Sequence, residues 1–497
     1  MSESVVASSN PYSGVRPEVV RLSNKYIYIR DVLNDEVENR GEIYLPCPSN
    51  LPISKRTDED FHRYITYSQR ATFINYTGRT LTGFIGQIFS RDAEVKVPKT
   101  LEALIQDASG DGLPLIQIAK DACAEGLSMG RGGLLVDYPQ VDTPSTQAQL
   151  ENGDRRPVIN LYLTENILDW DYRKRGSKMV LCYLVLKETY NDRDPVTQVL
   201  TIRDQWRVLS LNADDVYEIK VWREIDSFGD RDVTPKANGK TLNEIPFAFF
   251  GSVNNDAEPD NPPMYDLAKV NVAHYRNSAD YEESVFVIGQ PTLIAIGIKT
   301  KWWETVLNKV LRFGSRNGIA LESDSDAKIL QAQPNVLAKE AMDQKQEQMA
   351  AMGAEFLRES GTEKTATEAA INDSARTSAM SNVAKNVSAA FQYCLEWAAI
   401  FQGSNEKEVV FKLNSEFDLT RMTAADRAQL IKEHQEGLVS WTEYRNALRK
   451  AGFATQPDEE AKAEIAEKEA AEVARAAAEF AATTAAANPG NLPGEDD

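Results

Sequence analysis

Residues 273–286 read AHYRNSADYEESVF. The stretch has no Pro and no Gly, and its alanines and long side chains favour a helix. Yet His274, Arg276, Asn277, Asp280, Glu282 and Glu283 are spread around most of its circumference. A core helix shows an apolar stripe on one side, so a helix that is polar almost all round is not an ordinary core helix. What it packs against decides how the rest of the chain is arranged.

Working outward, the preceding DAEPDNPPMYDLAKVNV puts Pro at the first turn, so the helix reads from Pro262 to Val287, about 39 Å at ~1.5 Å per residue. A short α/β insert covers Gly289–Gln333. A second helix spans about Asn335–Glu359, and ESGTEKTAT breaks it, because Ser, Gly and Thr between two helical patterns mark a turn. A third, very long helix runs about Thr365–Gln402, opened by Thr365 and Glu368 in capping-box spacing. Two short helices follow, TAADRAQLIKEHQE and SWTEYRNALRKAG, joined at GLVS, with Ser440 and Glu443 as a second capping box. An Ala/Glu-rich helix follows at 458–487. Its large apolar residues, Ile465, Val473 and Phe480, are too few to bury a face alone. It is expected either to be ordered against copies of itself or to stay solvated.

Upstream, residues 1–15 read as disordered, and a helix is expected over Arg16–Arg40. EIYLPCPSNLP is a Pro-rich loop. From Asp58 to Phe89 apolar residues recur at helical spacing, with Phe61, Tyr64, Phe73, Ile74, Leu81, Phe84 and Ile88 as candidate core positions. DGLPLIQIAKDACAEGLSMG is a helix that Gly130 can end. Five strands follow by alternation and β-branched or aromatic enrichment: GLLVDY, INLYLT, KMVLCYLVLKETY, TQVLTIRDQWRVLSL and VYEIKVWREI. The first half is a mixed α/β body. No internal repeat is evident.

The formal charge is −20 over 497 residues. Proteins that grip DNA carry a basic footprint, so any dealing with nucleic acid is expected to be transient or repulsive; plain solubility is the other reading of the acidity. No run of about 18 apolar residues suggests a membrane helix. The opening MSESVVASSNPYSGVRPE lacks the basic and apolar regions of a secretory signal. Cys47, Cys123, Cys182 and Cys394 stand far apart with no CxxC, which fits a reduced, cytosolic setting and neither zinc nor a redox pair.

Catalytic signatures are missing. GLSMGRGGLLVD has the order helix, glycines, strand, whereas a phosphate cradle needs strand, glycines, helix N-terminus. It reads as a helix cap leading into a strand. His62, His274 and His434 belong to no HExxH or Cys–His pattern. ESDSDAKIL alternates Glu322, Asp324 and Asp326 but lacks the Gly and distal Glu of a calcium loop, so it reads as a solvated turn. KTKWWETVLNKVLRFGSR is the most basic segment. It is either a packed amphipathic helix with Trp302, Val306, Val310 and Phe313 on one face, or a docking site for an acidic partner or a DNA backbone.

The order of parts resembles the portal proteins of tailed bacteriophages. The stretches that carry the resemblance are YLPCPSN, ATFINYTGRTLTGFIGQIF, NEIPFAFFGSVNND, PPMYDLAKVNVAHYRNSADYEES, EQMAAMGAEFL, TEKTATEAAINDS and GLVSWTEYRNALRKAGF, and it spans about residues 20–455. The resemblance implies an α+β portal-type fold: a disordered N-terminus at 1–15, an α/β wing at 16–261, a stem helix at 262–288 and a small α/β clip at 289–333. It continues with a second stem helix at 334–358, a tunnel loop at 359–364, a long kinked wing helix at 365–403 and a helical crown at 404–457. Beyond these come the Ala/Glu-rich helix at 458–487 and a disordered tail at 488–497.

The same resemblance implies a ring of about twelve copies at the unique capsid vertex of the virion, assembled in the host cytoplasm. Double-stranded DNA would pass without sequence-specific binding during packaging and ejection. The implied partners are the terminase large subunit, head–tail connector proteins, the major capsid protein and scaffold protein, with no membrane, no cofactor and no enzymatic activity. Glu359, Ser360, Gly361, Thr362, Glu363 and Lys364 would line the channel as the tunnel loop. His274, Arg276, Asp280 and Glu283 would mark the stem helix, flanked by neighbouring subunits, channel and shell, with no side in a dry core. Lys299, Lys301, Trp302, Arg312 and Arg316 would dock partners at the clip. Two other readings stay open: an adaptor or scaffold protein of virion assembly without a channel, and an enzyme with a dispersed site.

Overall fold

The computed structural model describes residues 10–49, 51–138, 156–223, 233–237, 239–289, 292–305, 324–330, 336–353, 366–415, 417, 424–450, 453–454 and 458–486. The fold is mixed α+β and divides into two units, Met1–Ser415 and Glu416–Asp497. The boundary leaves residues 404–415 with the first unit, inside the stretch expected to begin the crown.

In the first unit, α1 (Pro17–Leu33) starts with Pro at its first position, where a missing N–H costs nothing. It stops seven residues before the expected Arg40. Asp35 takes a left-handed φ of 59°, and Asp31 accepts from Arg40 and from the Tyr44 hydroxyl, folding the chain back. The pattern at 58–89 is two helices rather than one. α2 (Asp58–Arg70) opens on a Thr57–Asp60 capping box, and α3 (Tyr76–Ile88) on Asn75, whose side chain accepts from the Gly78 amide. Of the candidate core positions there, Phe84 and Ile88 are buried, but Phe61 is exposed on the outer face of α2. The short α4 (Glu102–Gln106) leads to α5 (Leu115–Met129), which ends at Gly130 with φ 84° and passes straight into a strand, the order read from the sequence.

That strand, β2 (Arg131–Asp137), is the centre of a three-stranded antiparallel sheet with β3 (Val158–Leu163) and β10 (Phe247–Gly251). Gly132 and Gly133 leave room for the rings of Phe250 and Phe247, with which any Cβ would collide. A four-stranded meander joins β4 (Ile167–Arg175), β5 (Lys178–Arg193), β6 (Leu200–Leu211) and β7 (Tyr217–Arg223). The strands at 167–175 and 247–251 are additions to the five expected. Arg207 bridges the sheets, donating to Glu188 of β5 at 2.7 Å and to Asp137 of β2 at 2.9 Å. Two small pairs, β8 (Lys236–Ala237) with β9 (Lys240–Thr241) and β1 (Glu94–Lys96) with β13 (Val410–Lys412), complete the body. Residues 10–15 are not loose: Tyr12 packs beside the core cluster of Leu168, Val185, Trp206 and Val208, and the Arg16 amide donates to Leu168.

Beyond the sheets come α6 (Tyr265–Gly289), the hairpin β11 (Thr292–Ile296) with β12 (Asp326–Leu330), α7 (Thr300–Thr305), α8 (Leu337–Gly353) and α9 (Ala366–Gln402). The C-terminal half of α9 runs through the body against α5, β10 and β13. It buries Met380, Val383, Ala384, Val387, Phe391, Cys394, Leu395 and Ala398 at spacings of three and four. In the second unit, α10 (Ala424–Gln435) and α11 (Trp441–Lys450) form a helical hairpin. The Ser440–Glu443 capping box is present, and His434 stacks on Tyr444 at 4.5 Å. α12 (Asp458–Ala486) follows, with most of its described side chains exposed.

Candidate functional site

The sequence reading centres on the helix pair α6 and α8 and on the insert between them. α8 returns along α6, and α1, α2 and α3 cover other sides of α6. The first half of α6 is therefore buried: Leu267, Ala268, Val272, Tyr275 and Ala279, with Asn271, His274 and Ser278 among them. This corrects the expectation that no side of the helix lies in a dry core.

Asn271 and Ser278 are there because the chain they face is not helical. Between α2 and α3, residues 71–75 form neither helix nor strand, so their backbone groups lack regular partners and must be satisfied some other way. Asn271 accepts from the Thr77 amide and hydroxyl at 3.0 Å and donates to the Ile74 carbonyl at 2.8 Å. Ser278 Oγ accepts from the Thr72 amide and bonds the Thr72 carbonyl at 3.0 Å. One turn further on, the Tyr67 hydroxyl donates to Asp280 at 2.7 Å, and Arg70 pairs with Glu283 while lying over the Phe286 ring. Arg276 donates to the Tyr44 carbonyl at 2.6 Å. So Arg276, Asp280 and Glu283 hold α2 and the 41–45 segment of the same chain.

His274 is different. It is 2% exposed, its ring meets Tyr76 edge-on at 5.5 Å, and its Nδ1 is buried without a hydrogen-bond partner. Burial lowers its pKa below the usual imidazole value; Lys345 of α8 adds to the fall and Asp343 opposes it.

At the far end of the pair, Val285, Phe286 and Val287 of α6, Ile294 and Ile296 of β11, and Val336 and Leu337 at the start of α8 are all exposed. Lys299 and Lys301 are exposed beside them, and Trp302 is half-buried at the start of α7. Arg312 and Arg316 lie outside the described residues, as do Glu359, Ser360, Gly361, Thr362, Glu363 and Lys364. Those six fall in the connection between α8 and α9.

In the α/β body several charged groups are tied up in structure. Arg30 bonds both Glu125 and Glu165 at 2.7 Å. Burial raises the Glu125 carboxyl to about 7 against the pull of Arg30. Arg131, fully buried, donates to the carbonyls of Ala257, Thr164 and Ile167 and lies over the Trp170 ring. The thiols of Cys123 and Cys394 are pushed up by burial and so are poor nucleophiles. An open groove of about 360 Å³ lies between β4–β5, β10 and α9, lined by Met179, Ile245, Phe249 and Tyr393 among others. Among the described residues, no group of three or more His, Cys, Asp or Glu could hold a metal ion, and no helix is long and apolar enough to cross a membrane. Sequence reasoning missed the buried network of Arg30, Glu125 and Arg131, which has no local spacing to betray it.

A family model described as a domain of unknown function (DUF4055) matches residues 263–402, from the start of α6 to the end of α9. No curated protein matches the chain. Among solved structures the chain is similar to one from "Virion of native gene transfer agent (GTA) particle", at 14% identity over 80% of this chain and 95% of that chain, with a TM-score of 0.40.

Proposed function

We propose that this chain is the portal subunit of a tailed phage. It is a structural protein without enzymatic activity, about twelve copies of which form a ring at the capsid vertex. DNA is packaged and ejected through the ring, and the tail attaches to it. One observation carries the reading. A helix leaves the α/β body, a small two-stranded insert caps it, and a second helix returns along it. A 37-residue helix then re-enters the body. That is the stem, clip, stem and long wing helix order that the sequence resemblance implies. The segment 359–364 between the return helix and the long helix is the tunnel loop of this reading.

The charge fits the same role. Every Lys–phosphate contact releases counterions and adds affinity, so a wall that lets DNA slide should offer few of them. Each copy adds its −20 to the ring. The energy for packaging then comes from a docked motor, the terminase large subunit, at the insert bearing Lys299, Lys301 and Trp302. Connector proteins, the major capsid protein and scaffold protein are the other partners.

Electron-microscopy class averages of the purified protein, viewed down the axis, test the reading. Rings of about twelve subunits with a central channel support it. A uniform population of monomers or small open oligomers would favour an adaptor of virion assembly instead.

A further inference from the structure

Strands β5 and β6 run on past the sheet that holds them. β4 pairs with β5 only from Lys178 to Leu186, and β7 pairs with β6 only from Gln205 to Leu211. The pairs from Thr189↔Asp204 to Arg193↔Leu200 therefore form a two-stranded ribbon about 17 Å long at ~3.4 Å per residue. Its tip is well made: Asp194 accepts from the Val196 and Thr197 amides, and Gln198 takes a left-handed φ of 59°. A two-stranded ribbon is marginal in water unless something covers it.

The two faces of the ribbon differ. Cross-strand partners share a face. One face carries Tyr190, Asp192, Thr201 and Arg203, and it is satisfied internally: Arg203 pairs with Asp192 at 2.6 Å and Arg223 lies over the Tyr190 ring. The other carries Asn191, Arg193, Leu200 and Ile202, with Val199 and Val196 at the tip. Ile202 is 68% exposed, and Leu200, Val199 and Val196 are exposed too.

The same unit has a second uncovered apolar face. On α2, Phe61 and Ile65 are four residues apart and both exposed. Arg56 bonds Glu42 and the Leu51 carbonyl, which gathers the exposed Ile43, Leu51 and Ile53 near the start of that helix. The first turn of α2 is acidic, with Asp58 and Glu59 exposed. The ribbon face thus has two aliphatic residues with Arg193 at their tip end, and the α2 face has two apolar residues with the Asp58 carboxylate at their N-terminal end.

We propose that the Leu200–Ile202 face of the ribbon docks on the Phe61–Ile65 face of α2 in a second copy of this chain, with Arg193 meeting Asp58. Two different patches joined head to tail give a heterologous contact, the kind that closes rings. The apolar pair supplies the affinity and the charges fix the direction. This rests on the ring reading above and names the contact that would build the ring.

The test mixes two single variants of the full chain, Ile202→Cys and Ile65→Cys, under mild oxidation. A disulfide-linked dimer should appear in the mixture and in neither variant alone. In parallel, the double variant Leu200→Asp, Ile202→Asp should keep the wild-type circular dichroism spectrum and melting temperature when dilute. It should need at least about tenfold more protein to assemble, the scale expected when an apolar anchor is lost. A wild-type ring with no cross-link in the mixture and unaltered assembly of the double variant overturns the contact and leaves the channel reading intact. Cross-linking of Ile202→Cys with itself also overturns it. A wild type that stays monomeric overturns the contact and the channel reading together.

Discussion

Helix α6 of the first unit and helix α12 of the second are close in length, at 25 and 29 residues, and both scatter charges among alanines. Their environments are opposite. α6 buries Asn271, His274, Tyr275 and Ser278 and ties Arg276, Asp280 and Glu283 to other parts of its own chain. α12 buries Ala461, while Glu464, Ile465 and Lys468 face solvent. Polarity therefore does not say whether a helix is inside or outside. What matters is whether neighbouring backbone groups need those side chains. The connection from α2 into α3 needs Asn271 and Ser278, because its backbone groups, the buried Thr77 amide above all, lack helix partners.

The largest break in this comparison comes from Asn271→Ala. It leaves the Thr77 amide buried without its partner, while the Ile74 carbonyl keeps the Tyr76 amide, and should destabilise the first unit by about 1–3 kcal/mol, seen as a lower midpoint in urea unfolding with an unchanged slope. A cost below that of an exposed substitution on α12 would mean that water reaches the segment. Ser278→Ala removes one two-way bond with Thr72 and should cost about 1–2 kcal/mol in the same assay.

A smaller effect comes from His274, and its sign follows from burial. The folded pKa is lowered, so the unfolded chain takes up the proton first as pH falls. Stability should be full above the ordinary imidazole value of about 6.5 and should decline as pH drops below it. His274→Phe should remove that slope between wild type and variant. An identical pH profile for the two proteins would show that protonated His274 finds an acceptor.

The smallest effects belong to α12. Glu464→Gln removes a charge spaced i,i+4 from Lys468 on an exposed face and should change stability by less than about 0.5 kcal/mol. Truncation after Pro457 should leave the melting temperature of the isolated subunit in place. In the ring proposed above it should lower both helicity and melting temperature, if the α12 helices of neighbouring copies pack together. Equal melting of full-length and truncated rings would show the helix to be merely solvated.

The sequence by itself determined the elements with strong local signals. Gly130 ends its helix, because only a residue without a Cβ adopts φ 84° without strain. The Ser440–Glu443 box starts another, and alternation marks β2, β3 and β5–β7. The order of long helix, insert, long helix and very long helix was also legible, since helical periodicity and its breaks are properties of neighbouring residues. Tertiary structure alone decided the rest. The pattern at 58–89 is periodic throughout, yet the chain breaks at 71–75, where Asn75 caps a new helix and α6 receives the connecting segment. Phe61 matches the apolar period but faces outward, because the period tells that residues share a face and not what lies opposite it. The partners of Asp280 and Glu283 each lie 213 residues away in the chain, and the Ala257 carbonyl that Arg131 holds lies 126 away. No local pattern encodes a contact at that separation; only the packed fold brings the two groups together.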